Sequence, residues 1–373
     1  MTTEIQMTRR AFNKAAAAVV VSTAIPAGCS NDSGAGGYEE LVASTWRHAE
    51  RADTQGPDLL RTLVHYGTLA ANSHNSQPWR FRIETDRIIV HPDFSRRCPA
   101  VDPDDHHLFA SLGCAAENIA VAAAALGLRA AVSLDDTRDG SIRIDLEAAP
   151  AMDSGAFRAI TERQCTRAAY DGKPVGPADL ASLERAATEY GVAAELFTSE
   201  ADKERILEYV VAGNTAQMRD DAFVGELKEW IRFNESAAIA HRDGLFSATT
   251  GNPTLPTWLG RMVFGLFFKE GAENDKYRDH IRSSAGVIAF VADRNDKQGW
   301  VDAGRSYQRF ALEATALGLR HAFVNQATEV PEVRTQFAEY LGIGKRRPNL
   351  LVRFGNGPTL PRSLRRPVDD VLV

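Results

Sequence analysis

The chain has 373 residues, which exceeds a typical single domain and fits either two domains or one large duplicated unit. Apolar residues make up 44% and charged residues 25%, an ordinary balance for a globular protein whose core needs neither disulfides nor metals. The net charge of −6 lacks the basic footprint of a nucleic-acid-binding protein, so no nucleic-acid partner is expected.

The four cysteines show neither the paired spacing of a disulfide framework nor a zinc pattern. Cys98, Cys114 and Cys165 are expected to be buried as small apolar side chains. The remaining cysteine, Cys29, belongs to an amino-terminal segment that we interpret separately.

Residues 1–29 are expected to be an export signal rather than part of the fold. A charged start precedes a short apolar run at 15–24 and a few small residues. The start resembles a twin-arginine signal, a route that exports proteins already folded around a cofactor, through Arg9, Arg10, Phe12 and Lys14. The apolar run is shorter than the roughly 18–20 residues of a membrane-spanning helix, although an uncleaved amino-terminal anchor is the alternative.

The end of this segment, Ala27-Gly28-Cys29, resembles a lipobox, which would place a lipid on Cys29. Pro26 departs from the aliphatic residue that is usual there. The implied location is the periplasm, either free or lipid-anchored through Cys29, with membrane contact only through the signal or the lipid. Residues 30–38, rich in Gly and Ser, are expected to form a flexible linker.

A first α+β half is expected at 39–150. Hydrophobic periodicity and turn signals predict a pair of helices, a hairpin, a long Ala-rich helix and two more strands. The helices are predicted at 39–51, 57–71 and 102–128, and the strands at 80–83, 87–90, 129–134 and 142–147.

A second α+β half is expected at 151–373, beginning with a short helix before Arg163. Residues 234–285 contain several glycines, prolines and exposed-looking aromatics and are interpreted as a long insertion or lid. Further helices are predicted at 177–190, 201–233 and 298–318, and strands at 192–198, 286–292, 320–325 and 349–354.

An internal repeat relates the two halves. A shift of 191 residues lays 113–132 over 304–323, and the contiguous sequence Ala-Leu-Gly-Leu-Arg occurs at 125–129 and again at 316–320. A long helix that ends in Gly and leads into a strand therefore occurs twice. The repeat predicts a tandem duplication of one α+β unit.

The loop at 72–77 carries short amide and hydroxyl side chains, and Pro78 and Trp79 follow it. Such a loop offers many neutral donors and acceptors to a planar heterocycle. A plain polar loop before an edge strand is the alternative. The segment 73–79 resembles the Ser-x-Asn-x-Gln-Pro-Trp signature of the nitroreductase family, which comprises FMN-dependent oxidoreductases.

A second motif places Arg163 and Arg167 four residues apart, followed by Tyr170 and Pro-Val at 174–175. Guanidinium groups grip phosphate well, although a basic helix end is the alternative. The motif resembles the Arg-x-Ser-x-Arg/Lys run that binds flavin phosphate and ring in nitroreductases. Cys165 stands where that family prefers Ser.

Two later segments fit the same resemblance. Arg362, Arg365 and Arg366 resemble the late basic pair that closes on the phosphate, and the spacing leaves open which of them reaches it; a solvated tail is the alternative. Asn325 and Gln326 follow the repeated strand, where the family presents backbone N–H groups to the flavin N5 and O4 edge.

The run 102–107, with its three aspartates and with His106 and His107, invites a metal interpretation. Adjacent histidines point to different faces of a helix. Asp105 as an N-cap explains the run better, so no metal site is assigned. The sequence contains no Gly-x-Ser-x-Gly elbow for a hydrolase and no Gly-x-Gly-x-x-Gly for a bound nicotinamide domain.

The resemblance implies an α+β, nitroreductase-like fold in which two related halves form a tandem pseudo-dimer within one chain. The flavin would carry hydride or electrons to a nitroaromatic or quinone acceptor, without a catalytic side chain. NAD(P)H is the donor in the family, and the donor of an exported protein is left open. The alternative is a non-catalytic FMN-storage protein with a lid. The implied FMN-binding residues are Asn72, Ser73, His74, Asn75, Gln77, Arg163, Cys165, Arg167, Asn325, Gln326, Arg362, Arg365 and Arg366.

Overall fold

The computed structural model describes residues 37–50, 58–137 and 139–373. The predictions for 1–29, including the export signal and the lipid on Cys29, lie outside these residues, as does most of the 30–38 linker. The described residues from Tyr38 onward form one compact unit.

An antiparallel four-stranded sheet beside a long helix forms the first part of the described chain. Its strands follow the spatial order β1-β2-β4-β3. The hairpin, the long helix and the two following strands confirm the predictions, with shifts of a few residues at their ends. The elements are α1 (Tyr38–Thr45), α2 (Asp58–Thr68), β1 (Trp79–Ile83), β2 (Arg87–Pro92), α3 (His106–Ala125), β3 (Leu128–Asp135) and β4 (Ser141–Ala148).

The second part contains another antiparallel four-stranded sheet, with the order β5-β8-β10-β9. Its central strands β8 and β10 are buried at every position; β8 is apolar throughout, whereas β10 also buries Asn349 and Arg353. The elements are α4 (Gly155–Ala159), α5 (Pro177–Ala187), β5 (Val192–Phe197), α6 (Glu200–Met218), α7 (Asp221–Trp230), β6 (Ile231–Arg232), α8 (Glu235–His241), β7 (Leu245–Phe246), α9 (Thr257–Phe267), α10 (Glu270–Arg282), β8 (Gly286–Ala292), α11 (Lys297–Ala316), β9 (Arg320–Phe323), α12 (Gln326–Glu329), α13 (Pro331–Tyr340) and β10 (Pro348–Gly355).

Burial alternates along the first two strands of this sheet because successive side chains point to opposite faces. In β1, Trp79 and Phe81 are fully buried, whereas Arg80 and Arg82 are exposed. In β2, Ile88 and Val90 are fully buried in the same apolar core. This period of two is the pattern that predicted the hairpin.

The long helices α3 and α11 pack on each other through glycines. A methyl group added at Gly113 would overlap the Val301 carbonyl, and one added at Gly304 would overlap the Ala110 carbonyl. The 191-residue shift that relates Gly113 to Gly304 also relates Ala110 to Val301. Each helix therefore presents the same patch to the other, as in an isologous interface.

The polar contacts between α3 and α11 are related by the same 191-residue shift. The Glu117 carboxylate accepts a hydrogen bond from Arg309 at 2.9 Å, and Gln308 donates to the Asn118 amide oxygen at 2.7 Å. The shift of 191 relates Glu117 to Gln308 and Asn118 to Arg309. A carboxylate–guanidinium pair on one side thus corresponds to an amide–amide pair on the other.

The carboxyl terminus extends the first sheet. The Phe81 N–H donates to the Val371 carbonyl at 2.7 Å, and the Val373 N–H donates to the Phe81 carbonyl at 2.9 Å. Leu372 forms a parallel bridge with Phe81. The last residues of the chain therefore run alongside β1, which lies near its beginning.

The predicted helix at 201–233 is two helices, because Asp220 caps the start of α7 by accepting from the Ala222 N–H at 2.9 Å. The segment 234–285 holds α8, β7, α9 and α10. Its last helix joins the body, where Ile281 packs in an apolar cluster with Ile206 and Val287. Its interpretation as an insertion or lid stays a prediction.

Asp105 occupies the N-cap position of α3, but its side chain makes no capping hydrogen bond, so that part of the prediction is wrong. Its left-handed backbone, with φ of 61°, turns the carboxylate away, and it pairs with Arg97 at 3.0 Å. Asp102 caps the helix instead, accepting from the N–H groups of His107 at 3.0 Å and Leu108 at 2.9 Å.

Among the described residues, one helix, α3, is long and apolar enough to cross a membrane by length and composition. Most of its residues are buried against the sheet and α11, so it is a core helix of this fold.

Candidate cofactor-binding site

A cavity of about 70 Å³ lies where the loop at 72–77, the segment 163–167 and the carboxyl-terminal arm at 360–366 meet. Seven of the thirteen residues predicted from the sequence line it, drawn from both parts of the chain. They are Asn72, Asn75, Arg163, Cys165, Arg167, Arg362 and Arg365. The volume is well below the roughly 300–1,000 Å³ of typical ligand pockets, and it suits a phosphate-sized group.

Three guanidinium groups gather over one indole ring in this cavity. The guanidinium carbons of Arg365, Arg362 and Arg163 lie 4.9, 5.0 and 6.0 Å from the centre of the Trp46 ring. The Trp46 N–H donates to the Ser363 carbonyl at 2.8 Å, which fixes the ring against the carboxyl-terminal arm. Cation–π attraction holds the three cations close together despite their mutual repulsion.

Little negative charge balances this cluster. Arg362 pairs with Glu162 at 3.0 Å, at the exposed edge. Arg163 donates to the Leu69 carbonyl at 2.9 Å, and among the ion pairs of the described residues neither Arg163 nor Arg365 has a carboxylate partner. The cluster is therefore a site of uncompensated positive charge.

Burial, followed by the charge of Arg163, lowers the pKa of Arg365 to about 9. A guanidinium with that pKa still carries its proton at neutral pH. The lowered pKa means that burial and the neighbouring cation destabilise the charged form of Arg365. A bound anion would relieve this cost. The donor set of several convergent guanidiniums matches a phosphate group.

Local structure brings Arg163 to the cavity. Ser154 caps the short helix α4, and the Arg163 N–H continues the turn by donating to the Ala159 carbonyl at 2.8 Å. The Thr166 N–H donates to the His321 carbonyl at 2.9 Å, which aligns this segment with β9. Arg163 is 3% exposed, and its Nε has no hydrogen-bond partner.

The loop at 72–77 adopts a backbone that non-glycine residues rarely use. His74, Asn75 and Gln77 have φ values of 49°, 53° and 53°. The Gln77 N–H donates to the Asn72 amide oxygen at 2.8 Å, and the Ser73 N–H donates to Ser111 Oγ at 3.3 Å. Left-handed backbone at three of four consecutive residues stores strain that the surrounding contacts must hold.

Asn75 connects three segments through its side-chain amide. Its Nδ2 donates to the carbonyls of Gly244 at 3.1 Å and Leu364 at 3.2 Å, and its Oδ1 accepts from Arg365 at 2.7 Å. The amide thus fixes Arg365 in the cavity and ties the loop to the segment after α8.

Gln77 makes a similar connection beside it. Its Nε2 donates to the Arg242 carbonyl at 2.8 Å, and its Oε1 accepts from the Arg366 N–H at 2.8 Å. Gln77 is fully buried and does not line the cavity. Its side chain holds two loops together.

His74 and Ser73 do not line the cavity. Ser73 Oγ is 3.3 Å from His74 Nδ1. Burial, followed by the charge of Arg167, lowers the pKa of His74 to about 4, so its imidazole is neutral at physiological pH. A direct role of either side chain toward a flavin stays a prediction.

Asn325, Gln326 and Arg366 do not line the cavity either. Asn325 Oδ1 accepts from the Leu351 N–H at 2.8 Å, and the Gln326 side chain is buried at the start of α12. The Arg366 guanidinium donates to the Asp370 carbonyl at 2.6 Å. Their roles toward a cofactor stay predictions, and Arg362 and Arg365 are the terminal arginines that reach the cavity.

Sequence reasoning missed several lining residues that carry no local signal. Trp46 and Phe323 lie far from the motifs in sequence, and Leu245 and Thr249 belong to the segment interpreted as an insertion. Gln164, between two predicted residues, anchors the carboxyl-terminal arm by donating to the Leu360 carbonyl at 2.6 Å.

The expectation that all three later cysteines are buried holds for Cys98 and Cys114 and is wrong for Cys165, which is partly exposed. Cys165 lines the cavity because its segment runs beside β9 at the cavity wall.

The donor atoms of Asp102, His106 and His107 lie within 4.8 Å of one another. The two imidazole rings are 4.6 Å apart, so the expectation that they point to different faces is wrong. Both Asp102 oxygens accept backbone N–H groups of α3, and His106 Nε2 lies 3.1 Å from the Asn349 amide. These contacts account for the cluster as the start of a helix.

A larger open groove of about 610 Å³ lies between α5 and β5. Its charged lining residues are Glu184 and Glu195, and the rest are mainly apolar side chains. It lacks the convergent polar groups of a built binding site.

No protein-family model matches the chain. Curated relatives are similar over most of it. Rv3131 of Mycobacterium tuberculosis strain H37Rv, an inferred NAD(P)H nitroreductase, is 27% identical over 335 residues, covering 86% of this chain and 93% of that protein. The inferred NAD(P)H nitroreductase acg of the same strain is 24% identical, covering 84% of this chain and 95% of that protein. The names of these relatives support the resemblance of the chain to the nitroreductase family.

Solved structures overlap the chain in part. A nitroreductase with bound FMN from Bacteroides fragilis has a TM-score of 0.36 and 15% identity, covering 57% of this chain and 96% of that chain. The FMN-dependent nitroreductase NfnB from Mycobacterium smegmatis, in complex with NADPH, has a TM-score of 0.37 and 13% identity, covering 56% and 94%.

Proposed function

We propose that this protein is an FMN-dependent oxidoreductase of the nitroreductase type, with the FMN phosphate held by Arg163, Arg362 and Arg365. The observation that carries the proposal is the cluster of three guanidiniums over Trp46, of which only Arg362 has a carboxylate partner. A phosphate supplies the missing negative charge, and the names of the curated relatives support the reaction class.

When bound, FMN supplies hydride and electron transfer through its ring. The chain's own residues would bind and orient the FMN and shield it from water. The guanidiniums fix the phosphate, Cys165 and Gln164 line the wall beside it, and Phe323 and Leu245 provide apolar surface that excludes water. No side chain acts as a nucleophile toward the acceptor in this proposal.

NAD(P)H is the proposed donor, in keeping with the relatives' names. The proposed acceptor is an electron-poor nitroaromatic or quinone. The donor and the acceptor are proposed from the resemblance to nitroreductases. Assays with the two substrates test them.

The tandem pseudo-dimer belongs to the same proposal. The equal strand orders of the two sheets and the exchange-symmetric contacts of Gly113 and Gly304 support it. In this reading the half at 39–150 supplies the Asn75 loop and the half at 151–373 supplies the arginines, so that one chain makes one flavin site.

Export through the signal at 1–29, with release to the periplasm or a lipid on Cys29, is also proposed. A double Arg9→Lys and Arg10→Lys change should retain the precursor in the cytoplasm, as seen by fractionation and immunoblotting. Normal export of that variant would contradict a twin-arginine route.

The function is tested on the purified chain. We expect bound FMN in the absorbance spectrum, bleaching by NADPH without oxygen, and reoxidation by a nitro compound or quinone. Arg163→Ala should weaken FMN binding by about 1.5–3 kcal/mol, the value of a charged hydrogen bond. Arg158→Ala, an exposed arginine paired with Asp153, is the matched control and should bind FMN normally.

A non-catalytic FMN-storage protein is the second candidate. The contacts of Asn75 and Gln77 with the segment at 242–244 favour it, because they hold that segment closed beside the cavity. Stable FMN binding without bleaching by NADH or NADPH would support storage. Absence of FMN binding after reconstitution would contradict both candidates.

A further inference from the structure

Cys165, which is partly exposed, belongs to a polar cluster at the cavity wall that phosphate binding does not require. Its Sγ lies 3.6 Å from the Tyr307 hydroxyl and 3.8 Å from Arg163 Nη1. The Tyr307 hydroxyl lies 3.4 Å from His321 Nδ1, and His321 pairs with Cys165 as a β-bridge. A thiol, an imidazole and a guanidinium thus meet at the cavity wall.

Two groups of this cluster have unused polar atoms. His321 is fully buried, and its Nε2 has no hydrogen-bond partner. Arg163 is 3% exposed, lines the cavity and has a free Nε. Both residues therefore retain capacity to stabilise an anion at the Cys165 sulfur.

The electrostatics favour the thiolate. Burial alone would raise the pKa of Cys165, but the interaction with His321, reinforced by the charges of Arg163 and Arg167, outweighs burial and lowers the pKa. Arg365 adds a further positive charge.

The neighbouring acidic groups stay neutral. Burial raises the pKa of Tyr307 and of Tyr170 above their usual values, and it does the same for Cys114. These three groups therefore form no competing anion beside Cys165 at neutral pH.

The other described cysteines lack this setting. Burial, with Glu226 and Asp102 nearby, raises the pKa of Cys98 to about 12. Cys98 and Cys114 are 4% and 3% exposed, so they offer neither charge nor access. They are internal controls for the reactivity of Cys165.

We propose that Cys165 is a nucleophilic thiolate that reacts with small hydroperoxides, and that its modification closes the arginine cavity to phosphate-bearing ligands. The second part rests on the proposed function, because it assigns that cavity to a cofactor phosphate. The first part stands on the cluster of Cys165, His321 and Arg163 alone.

The reaction balances with a hydroperoxide as the sole oxidant. The thiolate attacks the distal peroxide oxygen, an S–O bond forms and the O–O bond breaks. The electron pair leaves with the alkoxide, or with hydroxide when the oxidant is hydrogen peroxide, and takes a proton from solvent. The sulfur loses two electrons and becomes a sulfenic acid, while the peroxide gains two.

Arg163 connects the two parts of the proposal. It faces both the sulfur and the cavity, so a phosphate in the cavity competes with the thiolate for the same cation. Phosphate should raise the pKa of Cys165 and protect it. Conversely, a bulkier oxidised or alkylated sulfur occupies space in a cavity of about 70 Å³.

Alkylation by iodoacetamide, resolved by site with peptide mass spectrometry, tests the thiolate on the purified, cofactor-free chain. The rate at Cys165 should reach half its maximum near pH 6 and, at that pH, exceed the rate of an ordinary exposed cysteine by roughly tenfold. Cys98 and Cys114 should stay unmodified. A Cys165 rate that rises only above pH 8 would overturn the proposal.

Matched variants separate charge from packing. His321→Gln should move the alkylation midpoint upward by about one pH unit or more, because it removes the imidazole that stabilises the thiolate. Tyr307→Phe keeps the ring and should move it much less. Equal shifts in both variants, with folding intact by circular dichroism, would contradict the role of His321.

The coupling is measured with two probes. Inorganic phosphate should slow alkylation at Cys165, and peroxide treatment followed by dimedone should label Cys165 and abolish FMN binding measured by fluorescence quenching. The FMN affinity of Cys165→Ser should be the same after peroxide treatment as before it. Full FMN binding by the labelled wild type would contradict closure, whereas loss of FMN binding in untreated protein would contradict the proposed function and leave the thiolate result intact.

Discussion

Gly113 of α3 lies directly against the backbone carbonyl of Val301 of α11, with no room for a methyl group between them. Its counterpart Gly304 meets the Ala110 carbonyl in the same way. These two contacts set the distance between the central helices, and every element that packs on either helix depends on that distance.

Gly113→Ala should destabilise the protein by about 1–3 kcal/mol, because the added methyl group forces apart a closely packed pair of helices. Urea unfolding followed by circular dichroism measures the loss. Gly225→Ala is the control, since Gly225 is exposed on α7 with nothing within 4 Å of an added Cβ. It should gain about 0.5–1 kcal/mol in helix propensity. Equal effects at both sites would contradict the close approach.

Arg365→Gln should weaken FMN binding by roughly 10- to 100-fold, the equivalent of about 1.5–3 kcal/mol for a charge-assisted contact. The amide can still donate toward Asn75 and the Thr68 carbonyl, which Arg365 contacts at 2.7 and 3.0 Å. Isothermal titration calorimetry provides the affinity. Arg366 does not line the cavity, so the Arg366→Gln variant should bind FMN like the wild type. Weaker FMN binding by this variant would place the phosphate contact at Arg366 instead.

Asn75→Ala should cost more stability than Asn75→Gly, by about 1 kcal/mol. Both changes remove the hydrogen bonds to Gly244, Leu364 and Arg365, but only glycine adopts φ of 53° without strain. Thermal unfolding compares the two variants. Equal destabilisation would mean that the loop relaxes to an ordinary backbone when the amide is lost.

Acid should destabilise the protein through His106. Burial, followed by the charge of His107, holds the pKa of His106 well below 6.5, so the folded state keeps this imidazole neutral while the unfolded chain takes up a proton. The free energy of unfolding therefore falls as the pH drops below 6.5, by up to about 1.4 kcal/mol per pH unit.

The comparison of His106→Gln with the wild type isolates this effect. Burial raises the pKa of Asp102 to about 6, which opposes the trend below that pH and is shared by both proteins. Urea unfolding at pH 7 and pH 5 should show a smaller loss in the variant. His241→Gln, on an exposed helix end, is the control, and an unchanged loss in His106→Gln would contradict the assignment.

Local patterns in the sequence predicted much of the fold. The alternation of Trp79, Arg80 and Phe81 identified a strand, and the Ala-rich run ending at Gly127 identified a buried helix. The helix α13 was missed although Pro331 marks its first turn and Val333 and Phe337 are buried one turn apart. That signal is local and was available in the sequence.

The site was predicted in part because its motifs are local, whereas its assembly is not. Arg163 and Asn75 stand in recognisable runs, but Trp46 contacts Ser363 across 317 residues of chain. Nothing in the spacing of either residue indicates that meeting. The capping role of Asp102 was missed because the left-handed backbone of Asp105 is not encoded in residue type alone.

The carboxyl terminus finishes a sheet that the beginning of the chain starts. Protein synthesis adds roughly 5–20 residues per second, so Val371 is made on the order of 15–60 s after Phe81. Arg362 and Arg365 arrive just as late. The cavity therefore cannot assemble until residues 360–366 have left the ribosome, and a phosphate-bearing ligand can be captured only after that point.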